Sequence, residues 1–266
     1  MNLLVHKIKK YLKIINILVK YQIKVQLTYR FNFWCNILTE SGWVVAKLMY
    51  TLIVFRFYKN MTQDYYLYIG TYILLTGLIM GVYGRNISLL SRFINTGELD
   101  FYLLKPVSLQ FITTLQKIDI GSILPNSIVG ITMIIIGWKR SGIMVNSFTV
   151  ISFILSLIVG MIICYSLFFI PQLLAFIIIK SNNFINIIWE LWDINNVPAN
   201  MFPQIVRTIG MYLFPILLPV SYPILIVKGA LNLRQILYVP FLTIISALIF
   251  SYLFQKGLKY YESASS

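Results

Sequence analysis

The chain is divided into apolar runs of about twenty residues, and no other feature restricts its fold so severely. A helix rises about 1.5 Å per residue, so a run of that length crosses a hydrocarbon core of about 30 Å. The composition leaves little for a soluble body: of 266 residues, 59% are hydrophobic and 11% charged, where an ordinary soluble domain carries about 25% charged residues. Mean hydropathy is +0.80. These features predict an all-α integral membrane protein in which a single transmembrane domain accounts for residues 1–266.

A net charge of +14 would point a soluble protein towards nucleic acid, but here the basic residues cluster at the ends of the apolar runs. They carry topology, and no nucleic-acid partner is expected. Cys35 and Cys164 fall inside spans, where a buried, small apolar role is expected rather than a disulfide. His6 has no second His, Cys or carboxylate at ligand spacing, so no metal site is expected.

Residues 1–30 place Val5, Ile8, Leu12, Ile15, Val19 and Ile23 at helical spacing, with lysines around the rest of the helix. This is the pattern of a helix lying on the membrane. A cleaved signal peptide is disfavoured by Lys13 and Asn16 within the apolar core. Spans are predicted over 33–55, 66–84, 118–138, 148–179, bent near Pro171, a short one over 184–200, and 236–254. Residues 203–226 contain Pro203, Pro215, Pro219 and Pro223, too many for one straight helix, and read as re-entrant or interfacial helices. Gly70, Gly77 and Gly84 recur every seven residues and Gly77 with Gly81 forms GxxxG, the pattern of a close helix contact.

In a six-span arrangement most of the lysine and arginine residues, including Arg85, Arg92, Lys105, Lys117, Lys180, Lys256 and Lys259, fall on one side. Arg56, Lys59, Lys139, Arg140, Arg207, Lys228 and Arg234 fall on the other. The richer side should be cytoplasmic, which places both termini there.

The chain lacks GxxxxGK[ST], the loop by which P-loop proteins grip ATP and magnesium, and it lacks a GxSxG elbow and a paired-histidine zinc motif. It is expected to be non-catalytic. Glu40, Lys47, Asp119, Glu190 and Asp193 lie in or at the edges of spans, where charge is costly and usually faces a polar interior or another charge. Glu40 and Lys47 share a helix face, too far apart to pair directly. Two readings of them stand level: lining of a translocation path together with Glu190 and Asp193, or a headgroup position for Glu40 with a snorkelling Lys47. Asp119 reads as the cytoplasmic start of the third span.

The sharpest motif is GELDFYLLKPV, residues 97–107, in the loop between the second and third spans. Gly97 permits a turn, Glu98 and Asp100 offer acceptors, and Pro106 stops a helix. Leu99, Phe101, Tyr102, Leu103 and Leu104, beside Lys105, are apolar side chains with no obvious place in a solvated loop. A short amphipathic helix of this kind fits a groove on a partner, the alternative being that it lies on the membrane surface.

That loop resembles the cytoplasmic G-x-L-D-x-x-L-x-x-P-V segment of ABC-2 type permeases, specifically a subfamily long catalogued as a domain of unknown function. It stands here as Gly97, Leu99, Asp100, Leu103, Pro106 and Val107. Two further stretches are similar: Pro198, Phe202, Pro203, Arg207, Pro215, Tyr222 and Pro223, and the C-terminal Gly257, Leu258, Tyr260 and Tyr261 before a small-residue tail. The resemblance implies a six-helix permease of an ATP-driven exporter in the bacterial cell membrane, with an N-terminal elbow helix, a coupling helix over 97–107 and re-entrant helices before the last span. It implies two permease subunits, identical or sister chains, over two separate ATPase subunits that hold ATP and magnesium. An ion-gradient-driven secondary transporter or channel is the competing reading, from the intramembrane carboxylates and broken helices, although no inverted repeat is evident.

Overall fold

The computed structural model describes residues 2–57, 64–176 and 182–261, and helices account for nearly all of them. Helices α1 (Asn2–Thr28) and α2 (Arg30–Phe57) are separated by Tyr29 alone. Helix α3 (Tyr65–Ile79) passes through a widened π turn at Met80–Gly84 into α4 (Arg85–Thr96), followed by the short α5 (Leu99–Leu103) and α6 (Leu109–Leu115). Then come α7 (Ile120–Ser141), α8 (Ser147–Phe169) with a 3-10 extension over Ile170–Phe176, and α9 (Asn182–Asp193). The chain ends in α10 (Gln204–Thr208), α11 (Leu218–Val227) and α12 (Leu233–Leu258).

Helix α3 is the centre of the bundle. Some 72% of its most apolar stretch is buried, against 17% for both α2 and α12, which therefore form the outer faces. The contact of α3 with α7 rests on missing side chains. A Cβ on Gly70 would come within 2.6 Å of the Ile134 amide nitrogen, and Cβ atoms on Gly77 and Gly81 would collide with Asn126 and Ile123. Helix α7 answers with Gly130, where a Cβ would sit 2.8 Å from the Leu74 nitrogen. Two backbones this close gain dispersion contact that larger side chains would hold apart, which is how helices associate where apolar burial gives no net drive. Gly84 lies off this seam: its Cβ would meet Ile79 O and Met80 Sδ of its own turn, both at 3.2 Å.

Five helical segments are long and apolar enough to cross a membrane, and a sixth results if α10, its π extension and α11 count as one span bent by 94°. The expected span over 184–200 takes a different form. Helix α9 has 12 residues and gives way to single 3-10 turns at Ile194–Asn196 and Ala199–Met201. At about 1.5 Å per residue α9 alone is too short to cross. Asn195 explains the break, because its fully buried amide donates to Trp192 O and Ile216 O, both at 3.0 Å, and accepts from Tyr68 at 3.3 Å. The carbonyls of the unwound stretch are met by tyrosines of α3, since Tyr65 donates to Asn196 O and Tyr68 to Val197 O, both at 3.3 Å.

The bend expected near Pro171 is a change of helix type, from α to 3-10 after Phe169, at the residue that has no N–H to donate. The polar stretch after Gly84 is helix, continuous with α3 over Tyr65–Thr96. Its 32 residues extend about 48 Å, longer than a bilayer core. Lys59, Lys180, the end of the fourth span at 177–179, and the tail 262–266 lie outside the described residues.

Candidate functional site

The 97–107 loop is held rigidly on one side and left open on the other. Gly97 ends α4 with φ 73°, a left-handed conformation that glycine adopts without a Cβ clash. The chain then turns back so that Leu99 is fully buried, while the Tyr102 ring stacks on Phe93 with centroids 4.4 Å apart. Gln116 donates to the Tyr102 hydroxyl at 2.8 Å. Lys105 places its ammonium 4.6 Å from the Phe101 ring centroid and 4.4 Å from that of Tyr102. Glu98 meets Arg92 at 3.4 Å in an exposed pair that adds little. On the open side Phe101, Leu103 and Leu104 are 64%, 48% and 85% exposed. Asp100 faces the C-terminal segment, where burial first and the Asp100 carboxylate second push the ionisation of the Tyr261 phenol upwards.

Helix α1 clamps the residues that follow. Lys10 donates to Pro106 O at 2.9 Å, and the Tyr11 hydroxyl accepts from the Ser108 amide at 3.3 Å. Three turns further along, Gln22 donates to Gln116 O at 2.9 Å, and Gln26 donates to Ile118 O at 2.5 Å while accepting from the Ile120 amide at 3.1 Å. Intervals of eleven and four residues put Tyr11, Gln22 and Gln26 on one helix face.

The segment they hold, 116–119, is an unwound link between α6 and α7, and its backbone is satisfied on the other side too. Asn86 accepts from the Lys117 amide at 2.8 Å and donates to its carbonyl at 2.7 Å. Gly81, in the π turn, accepts from the Asp119 amide at 2.7 Å. Asp119, 3% exposed, caps α7 through the Gly121 amide at 3.1 Å and pairs with Arg85 at 2.5 Å. It also accepts from Ser122 at 2.8 Å and from Asn36 at 2.9 Å.

Of the four candidate path residues, the structure brings three near one another. Glu40 accepts from Ser122 at 3.1 Å and Asn126 at 3.2 Å, beside the Asp119 cluster. Lys47 sits 4.7 Å from the Tyr72 ring centroid and feels Asp193 and then Glu40 electrostatically. The Tyr72 hydroxyl donates to Asp193 at 2.6 Å. Polar and charged groups thus form a discontinuous string along α2, from Asn36 through Glu40 to Lys47. Glu190 is exposed elsewhere on α9.

A sequence model of a family described as ABC-2 family transporter protein matches residues 42–265. The chain belongs to the ABC-2 transporter family. No curated protein and no solved structure matches it. The family match and the apolar helices together make it a multi-pass membrane transport protein. In this ABC-2 protein the α1 clamp lies outside the matched residues, whereas the loop, Arg85, Asp119 and the string from Lys47 onwards lie inside them.

Gln22, Gln26, Asn36, Arg85 and Asn86 are absent from the sequence-based candidates. The signal for the glutamines was present, since they are uncharged polar residues one turn apart on a helix whose other polar residues are mostly lysines. For Asn36 and Asn86 the signal was an amide inside or at the edge of an apolar run.

Proposed function

We propose that this ABC-2 family protein is the membrane subunit of an ATP-driven exporter and that residues 97–107 are where a separate ATPase subunit takes hold. The observation that carries the reading is the combination of a buried Leu99 and stacked Tyr102 with exposed Phe101, Leu103 and Leu104. Exposed apolar side chains on a rigid base suit a groove in a partner, because little ordering entropy is lost on docking.

Motion of the loop would reach the spans by two routes: through α4 into the continuous α3, and through the link 116–119 into α7. ATP and magnesium would be bound by the partner, and only a partner with different affinity for two arrangements of the loop could drive them apart. Both termini and this loop are cytoplasmic in this reading, as the distribution of basic residues supports.

Glu40, Lys47, Asp193 and, on its exposed face, Glu190 would border the path. A second permease chain would complete it, with the outer faces of α2 and α12 offered to that chain or to lipid.

The test is transport by the assembled complex. Asp100→Lys or Leu103→Glu should leave the permease folded and inserted while ATP hydrolysis no longer drives export. Undiminished export at normal expression would overturn the assignment.

A further inference from the structure

At the end of the bundle opposite the 97–107 loop lies a cavity of about 500 Å³ between the start of α3, the α10–α11 bend and the start of α12. That is within the range of small-molecule sites, about 300–1,000 Å³. Its charged lining is Asp64, Lys228 and Arg207. Lys228 is ion-paired with Asp64, which leaves Arg207 as the cation without a carboxylate partner among the described residues. A guanidinium keeps its charge at any ordinary pH and offers up to five donors, so its natural complement is an oxyanion.

A pair of buried hydroxyls, Tyr68 and Ser221, borders the same space. Ser221 lines the cavity and is 5% exposed, with its hydroxyl beside that of Tyr68, a second residue of the same lining. A hydroxyl can turn from a neutral neighbour to an anion, and hydrogen bonds to charged groups are the stronger ones. Gln204 and Asn200 add amide donors, while Met211 and Leu225 make part of the wall apolar. Just outside, Ile205 and Leu213 are 75% and 79% exposed, a surface on which an acyl chain could lie.

We infer that this cavity binds a phosphate-type anion, carried on a lipid headgroup or free, with Arg207 as its main contact and Ser221 as a deeper donor. The inference does not rest on the proposed ATPase contact, because its test reads binding to the chain alone.

The purified full-length chain in a neutral maltoside detergent is titrated calorimetrically with dihexanoyl phosphatidic acid, glycerol 3-phosphate, inorganic phosphate and the uncharged dihexanoylglycerol. Saturable binding of at least one phosphate probe is expected, weakened about tenfold by Arg207→Gln and less by Arg207→Lys. Ser221→Ala should weaken it severalfold, and Lys139→Gln, at the same end but outside the cavity, should leave it unchanged. Binding of phosphatidic acid alone would assign the site to a lipid headgroup, and equal binding of inorganic phosphate would assign it to a free anion; both support the inference. It is overturned if no phosphate probe binds saturably, if dihexanoylglycerol binds as well, or if Arg207→Gln binds like the wild type. Since Arg207 is exposed, that variant keeps its fold, which elution volume and melting temperature will verify.

Discussion

Asp119 shows how much a single side chain can organise. It caps α7, holds Arg85 and accepts from Asn36 and Ser122, so the start of α7, the second turn of α2 and the continuous helix of α3 and α4 meet on one carboxylate. Asp119→Ala would leave several buried donors open at about 1–3 kcal/mol each before relaxation. The variant should melt measurably lower in detergent, and an unchanged melting temperature would show that water replaces the carboxylate. At Tyr261 the folded chain holds the phenol above its ordinary 10.0. The neutral form therefore favours the docked C-terminal segment, a contribution complete below pH about 10 and lost as pH rises through the displaced value. Ultraviolet difference titration of wild type against Tyr261→Phe should give a midpoint above that of free tyrosine, lowered by Asp100→Asn. A midpoint at the free value would contradict the contact.

Among the elements, the α3–α7 seam bears the plainest sequence signature. Gly70, Gly77 and Gly81 are spaced for one helix face, and that face meets α7 through contacts a side chain would block. Gly77→Leu should destabilise the bundle by about 1–3 kcal/mol or more by overpacking, read as a fall in melting temperature and yield, whereas Gly42→Leu, at an open position, should be nearly neutral. Other elements were harder to read for identifiable reasons. Averaged hydropathy makes 85–96 a polar loop because Arg85, Asn86, Ser88, Ser91, Arg92 and Asn95 outweigh it, yet Ile87, Leu90 and Phe93 recur every three residues and are all fully buried in α4. Apolar content over 184–200 suggests a span, but Asn195, which ties Trp192 O to Ile216 O, and the α3 tyrosines that donate to Asn196 O and Val197 O support unwound turns there. The α1 glutamines were legible only as polar, since their targets are backbone groups of a link that is unwound by tertiary contacts. The loop 97–107 was legible as a motif, whereas its division into an anchored and an exposed side depends on Phe93 and Gln116, contributed by flanking segments.

On the scale of the molecule, the candidate sites occupy opposite ends of one helical bundle. The loop with its exposed Phe101, Leu103 and Leu104 lies at one end, the cavity of Arg207 and Ser221 at the other, and the polar string along α2 lies between them. The continuous helix from Tyr65 to Thr96 links both ends, with Tyr65 lining the cavity and Gly97 beginning the loop. A displacement of the loop would therefore reach the far cavity through rigid secondary structure, which is the arrangement a transporter needs if an engine at one end is to change access at the other. The most direct test of this account is to purify the full-length chain with its natural partners in mild detergent, in wild-type and Leu104→Asp forms. A P-loop ATPase should accompany the wild type and be lost from the variant, in which the permease chain itself still inserts at normal yield because Leu104 is 85% exposed. A wild-type chain that emerges without an ATPase, or a variant that retains it in full, would contradict the account.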